Sequence, residues 1–221
     1  ADYVGSSGRV VGIDFTLEQL EKARKLAASA GAAHVEFLEG RIEAVPLPDA
    51  SVDCVISNGV INLAPNKSVV FAEAARVLRQ GGRLAIADII TERPLTEAIV
   101  CNADLWASCI GGAAEQEAYL QAIESAGFTI DRHHVNAYEF ISDQARNASA
   151  KYGVKSISVL ATLPRGLSRM KALDQEAAQV GHVRLLFTQL HQQRLDVRRL
   201  RRERDRHRVG DRPDPRAARR R

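Results

Sequence analysis

The stretch "RVVGIDFTLEQLEKARKLAASAG" (residues 9–31) holds one change of period, and that change decides the fold. Its first six residues are an apolar run bounded by Arg9 and Asp14, the pattern of a strand buried on both faces. From Thr16 onward Leu20, Ala23 and Ala27 share a helical face, Thr16 and Gln19 have capping-box spacing, and Gly31 supplies a stop. A strand passing straight into a helix is half of a parallel crossover unit. An acid closing such a strand is where nucleotide-binding sheets set the carboxylate that accepts ribose hydroxyls, so Asp14 and the adjoining Phe15 are candidate cofactor contacts. The plainer reading of Asp14 is a helix N-terminal acid set against the helix dipole. Sheets of this kind begin with an earlier strand and a Gly-rich turn. Only eight residues precede Arg9, too few for both, so the fold is expected to lack its first strand and the chain to be a piece of a longer one.

The alternation continues. "HVEFLEG" (34–40) and "VDCVISN" (52–58) read as strands, the second closed by Asn58-Gly59. "NKSVVFAEAARVLRQGG" (66–82) reads as a helix with Val70, Ala74 and Val77 on one face and a stop at Gly81-Gly82; "RLAIADII" (83–90) is a fourth strand. Helical patterns follow in "PLTEAIVCNADLWASCI" (94–110) and "AEQEAYLQAIESAGF" (114–128). Two long strands, "FTIDRHHVNAYEF" (128–140) and "KSISVLATL" (155–163), are expected to be joined without a full crossover helix and to close the sheet edge as an antiparallel pair. His133 and His134 should then face opposite sides, one in and one out.

Composition narrows the class. With 221 residues, 45% of them hydrophobic, the chain can bury a sizeable core. It contains no apolar run near the roughly 18 residues needed to span a bilayer and no secretory pattern, so a cytoplasmic location is expected and no membrane partner. Three cysteines argue against a disulfide framework. Residues 1–162 carry 14 Lys and Arg against 20 Asp and Glu, whereas 163–221 carry 17 against 7. A compact domain over 1–163 and a basic tail over 164–221 are therefore expected. The tail has a partial helical stripe through Leu186, Leu190, Val197 and Leu200, then a polar end. Its Arg density and its "DR", "RR" and "HR" pairs read first as a GC-rich gene in a shifted frame, with non-specific nucleic-acid binding, partner docking or a solvated appendage as the alternatives.

"VVGID", "VEFLEGRIEAVPLPDASVDCVISNGVINL", "EAARVLRQGGRLAIADI" and "LWASCIGGA", in this order and spacing, resemble the S-adenosylmethionine-dependent arsenite methyltransferases. The resemblance covers about residues 8–162. It implies a Rossmann-like class I methyltransferase fold: α/β, parallel strands, an antiparallel pair at the edge, the first strand missing here. It also implies S-adenosylmethionine as cofactor and a small-molecule methyl acceptor, an arsenite–thiol conjugate among them. Asp14 would take the ribose, Ile42 and Glu43 of the loop "EGRIEAVPLPD" the adenine, and Asn58 and Gly59 would face cofactor or substrate. No metal site is expected.

The family pattern has a cysteine where this chain has Gly59, working with a second cysteine matched by Cys109. Trivalent arsenic is soft and prefers thiolates, so Cys109 is the candidate catalytic residue. Cys101 lies roughly 12 Å away along a continuous helix at 1.5 Å per residue, and could share coordination only if Asn102 or Asp104 broke that helix. Cys54 reads as an inert thiol within a strand. Alternatives are a methyltransferase for a small organic oxygen, nitrogen or carbon nucleophile, and a non-catalytic remnant that binds nucleic acid through its tail.

Overall fold

The structure, a computed structural model, describes residues 4–5, 7–102, 105–106, 109–137, 143–165 and 183–188. In chain order its elements are β1 (Arg9–Asp14), α1 (Leu17–Ser29), β2 (Val35–Glu39), β3 (Val52–Asn58), a 3-10 turn (Ile61–Leu63), α2 (Lys67–Val77), β4 (Leu78–Thr91), α3 (Glu97–Val100), β5 (Ala114–Glu115), α4 (Gln116–Ser125), β6 (Thr129–Asn136), α5 (Asp143–Tyr152), β7 (Lys155–Thr162) and β8 (Val183–Thr188). The sheet runs β2-β1-β8-β3-β4-β7-β6, with the short β5 beside β4. β1, β2, β3, β4 and β8 are parallel, while β7 is antiparallel to both β4 and β6. This is the expected α/β sheet with its antiparallel edge pair.

No strand precedes Arg9 among the described residues, yet the place between β1 and β3 is filled. β8 lies there in parallel register with both neighbours, Val11 opposite Leu185 on one side and Val55 opposite Leu185 on the other. Val183–Thr188 was expected within a helical tail; it is a central strand. The physical reason is that two facing rows of unpaired backbone N–H and C=O groups in the middle of a sheet cost far more than ordering a short extended segment. Because a strand flanked on both sides uses each interior amide, Leu186→Pro should remove one ladder bond and open the centre. Amide hydrogen exchange at 10–13 and 54–57 is expected to speed up by about tenfold or more; unchanged exchange would mean that β8 does not hold the sheet.

The main core lies where α2 and α4 pack on the central strands. Val52, Val55, Phe71, Val77, Leu84, Ile90, Ile123 and Ile157 are fully buried there. Phe71 meets Tyr119 edge to face, with ring centroids 5.4 Å apart at 89°. A second cluster joins Ile89, Leu105, Cys109, Ile110, Ala145, Ala148, Tyr152 and Val154.

Four local expectations need correction. Thr16 caps α1 without a side-chain bond; its own amide instead donates to Asp14 Oδ1 at 2.8 Å, which turns the chain from strand to helix. α2 stops at Val77, because β4 begins at Leu78 and runs through Gly81, whose φ of +82° only glycine takes readily. A ten-residue helix, α5, does connect β6 and β7, ending at Gly153 with φ +64°. His133 and His134 are both exposed, since β6 is the sheet's outer strand and stays open along most of its length.

Candidate active site

Strands β1 and β3 leave the sheet in opposite directions, β1 toward β2 and β3 toward β4, so the crevice at their carboxyl ends is a topological switch point, where open α/β sheets bind ligands. With one strand between them, Asp14 and Asn58 stand about 10 Å apart at the usual strand spacing. Asp14 is half-buried, and Phe15 beside it leaves the surface with 67% of its area exposed. The loop after β2 comes to the same place. Gly40 donates its amide to Asp14 O at 3.0 Å, and the Arg41 guanidinium lies over the Phe15 ring at 5.8 Å. Ile42 packs against the main core; Glu43, half-buried, pairs with Arg41 at 3.4 Å.

That loop is clamped from α2. Glu73 Oε1 accepts from Val45 N at 2.6 Å, while Arg76 donates to Leu47 O at 2.9 Å, Val45 O at 3.0 Å and Asp49 at 2.5 Å. The hydrogen bond from Arg76 holds the Glu73 carboxyl below its usual range, and the Arg76 guanidinium stays charged at any accessible pH. The sequence reading missed this clamp, although Glu73 and Arg76 stand at i, i+3, the spacing at which an ion pair forms on a helix.

At the end of β3, Asn58 is exposed and Gly59 has φ +70° with its amide bonded to Ala87 O at 2.9 Å. Cys109 arrives from a different part of the chain. α3 ends at Val100, and Asn102 Oδ1 then accepts from Leu105 N at 3.0 Å, so the helical pattern does break between Cys101 and Cys109. The two thiols nonetheless differ: Cys101 is exposed and Cys109 is 4% exposed in the second cluster. Cys109 Sγ donates to Gly59 O at 3.2 Å, and a Cβ built on Gly59 would stand 3.8 Å from that sulfur. Its φ of +60° is a left-handed conformation that costs a non-glycine residue about 1 kcal/mol or more, so its surroundings hold it there. Burial, with the nearby Asp88 charge, pushes its thiol up to about 11, and it is protonated at neutral pH.

Behind Cys109 lies a buried polar group that the sequence reading did not find. Asp88, 3% exposed, accepts from Asn62 N at 3.1 Å and Tyr119 Oη at 3.1 Å through Oδ2, and from Ile89 N at 3.0 Å through Oδ1. Burial raises its pKa to about 7. Lys67 donates to Ala64 O at 3.0 Å and Asn62 O at 3.4 Å; burial lowers its pKa, and Asp88 opposes that. The available signal was an acid in the middle of the apolar run "AIADII".

The residues present fit a nucleoside cofactor. Asp14 is fixed by one oxygen on Thr16 N, Phe15 offers a largely exposed ring, and Ser57 Oγ, one residue before Asn58, is buried without a hydrogen-bond partner. The described residues contain no group of three or more His, Cys, Asp and Glu able to hold a metal ion. No described helix is long and apolar enough to cross a membrane.

Comparison with known proteins finds methyltransferases of the same fold. Arsenite methyltransferase of Halobacterium salinarum is 41% identical over 128 residues, which is 58% of this chain and 33% of that protein. The human arsenite methyltransferase is 38% identical over 134 residues, 57% of this chain and 36% of that protein. Among solved structures, an arsenic(III) S-adenosylmethionine methyltransferase from Chlamydomonas reinhardtii superposes with TM-score 0.60 at 28% identity, over 74% of this chain and 57% of that one. A putative sarcosine dimethylglycine methyltransferase from Galdieria sulphuraria, at 15% identity and TM-score 0.58 over 74% of this chain and 82% of that one, shares the fold. The chain thus spans about a third of the length of these two curated relatives. The family model described as a methyltransferase domain matches residues 1–127, more than half of the sequence, and the chain belongs to that family.

Proposed function

We propose that this chain carries the S-adenosylmethionine-dependent methyl-transfer site of an enzyme acting on trivalent arsenic. The observation that supports it most is the buried Cys109 thiol at 3.2 Å from Gly59 O, beside the carboxyl end of β3. When bound, the cofactor supplies a sulfonium methyl with its own leaving group, so the protein chiefly positions the reactants. Asp14 accepts from the ribose hydroxyls. Phe15 and the loop at Ile42 and Glu43 cover the base, and Asn58 offers both a donor and an acceptor. Cys109 binds the acceptor: its S–H condenses with an arsenic hydroxyl, a sulfur–arsenic bond forms, and water leaves with the thiol proton. The remaining arsenic ligands come from low-molecular-weight thiols, because Gly59 brings no sulfur.

A second reading, transfer to a small organic nucleophile, is favoured by that same glycine. The two are separated by arsenite retention. Cys109→Ser is expected to lower arsenite affinity about tenfold or more, as measured by equilibrium dialysis with arsenic quantified. Gly59→Cys should raise it, since the new Cβ lies 3.8 Å from Cys109 Sγ, although φ +70° works against the variant's stability. Equal arsenite retention by all three proteins would favour the organic acceptor. A cytoplasmic location is part of the proposal; residues 166–182 and 189–221, the parts of the tail on which the alternative of nucleic-acid contact rests, lie outside the described residues.

A further inference from the structure

We infer that Asn62 is a positioning residue for the Cys109 thiol, tying the backbone of Cys109 to the end of β4 so that the sulfur is held against Gly59. The consequence for arsenic rests on the function proposed above; the tether itself does not.

Asn62 is fully buried on the 3-10 turn that follows β3. Its side-chain Nδ2 donates to two carbonyls from separate segments, Ile89 O at 2.5 Å and Cys109 O at 3.3 Å. Two acceptors at one end fix which way the amide points, since a flipped amide would set its oxygen against both. Asn62 Oδ1 is left buried without a partner, so the residue is held there for its donors. The backbone of Asn62 is equally committed: its N–H goes to Asp88 Oδ2 at 3.1 Å and its carbonyl receives Lys67 Nζ at 3.4 Å.

The turn that follows Cys109 is pressed against the same residue. A Cβ on Gly112 would fall 1.9 Å from Asn62 O, so only glycine lets this backbone pass. Between that contact and the amide bond, Cys109 keeps a φ of +60° that it would otherwise relax, and relaxation would swing the thiol from Gly59 O. Among the described residues, no other side chain donates a hydrogen bond to the Cys109 carbonyl.

The chain contains its own controls for a test. Cys101 is exposed, and Cys54 lies within β3, where it reports opening of the sheet. The full chain and its Asn62→Ala and Asn62→Ser variants are treated with iodoacetamide, and modification at each cysteine is followed by peptide mass spectrometry. In the unaltered chain Cys109 reacts far more slowly than Cys101. Asn62→Ala should raise the Cys109 rate relative to Cys101 by about tenfold while the rate at the half-buried Cys54 stays as in the unaltered chain. Asn62→Ser, which keeps one donor, should fall between. An unchanged ratio overturns the inference; so does Cys54 becoming reactive in step with Cys109 in both variants, because Asn62 then serves the fold as a whole.

Arsenite dialysis and S-adenosylhomocysteine titration complete the test. Asn62→Ala should weaken arsenite about tenfold and leave the cofactor product's affinity within about twofold, a split that general destabilisation does not produce. If the unaltered chain retains no arsenite, the functional reading fails and the tether is decided by the labelling alone.

Discussion

Asp88→Ala is expected to lower the folding stability by about 3–5 kcal/mol, read from urea or thermal unfolding, because it strips partners from several buried groups at once. Asn62 N and Tyr119 Oη lose their acceptor, and Lys67 loses the charge that faces it. The vacated volume adds a cavity. A loss below about 1 kcal/mol would mean that water or neighbouring groups replace the carboxylate at little cost.

The same residue sets a pH dependence whose sign is opposite to that of an exposed ion-paired acid. Its folded pKa, about 7, lies above the ordinary value of 3.8, so between those limits the folded protein holds a proton that the unfolded chain releases. Stability then falls as pH rises through that window and levels off above it. Glu73, held low by Arg76, works the other way at the acid end, and the comparison should therefore be made against Asp88→Asn. The difference in stability between the unaltered chain and this variant is expected to shrink steadily from pH 4 to pH 7.5. A flat difference would mean that Asp88 does not change charge there.

The second large effect concerns Asp14. Two hydrogen bonds from ribose hydroxyls to a charged acceptor contribute roughly 1.5–3 kcal/mol each, so Asp14→Ala should weaken S-adenosylhomocysteine binding by about a hundredfold or more. The variant loses little stability, because Asp14 is only half-buried and, among the described residues, its side chain accepts from Thr16 N alone. Asp14→Asn should recover part of the affinity, as one carbonyl oxygen can still accept. Undiminished binding by Asp14→Ala would assign Asp14 to the β1–α1 turn alone.

Much of the sheet was legible because the signals were local. The apolar run of Arg9–Asp14, the Asn-Gly at the end of β3 and the alternation in β7 each name their element without help from the rest of the chain. Asp14, Asn58 and Gly59 followed, since strand ends in parallel sheets gather on one edge. β8 was not legible: a six-residue apolar run reads as strand or helix alike, and what decides is the pair of open strand edges it meets. The Thr16–Gln19 box failed for a related reason, as Asp14 Oδ1 takes the Thr16 amide that the Gln19 side chain would otherwise accept from. Asn62, Asp88 and Tyr119 come from three separate segments, and no spacing in the sequence joins them. Cys109 was named from the sequence, whereas its contact with Gly59 depends on the chain breaking at Cys101 and taking a positive φ.

Calorimetric titration of the whole 221-residue chain with S-adenosylhomocysteine tests the central claim most directly. The crevice at Asp14 and Asn58, with β8 between β1 and β3, predicts one saturable site of about micromolar affinity, near −8 kcal/mol. Absence of binding at millimolar ligand, from protein whose hydrogen exchange shows the sheet intact, would contradict it.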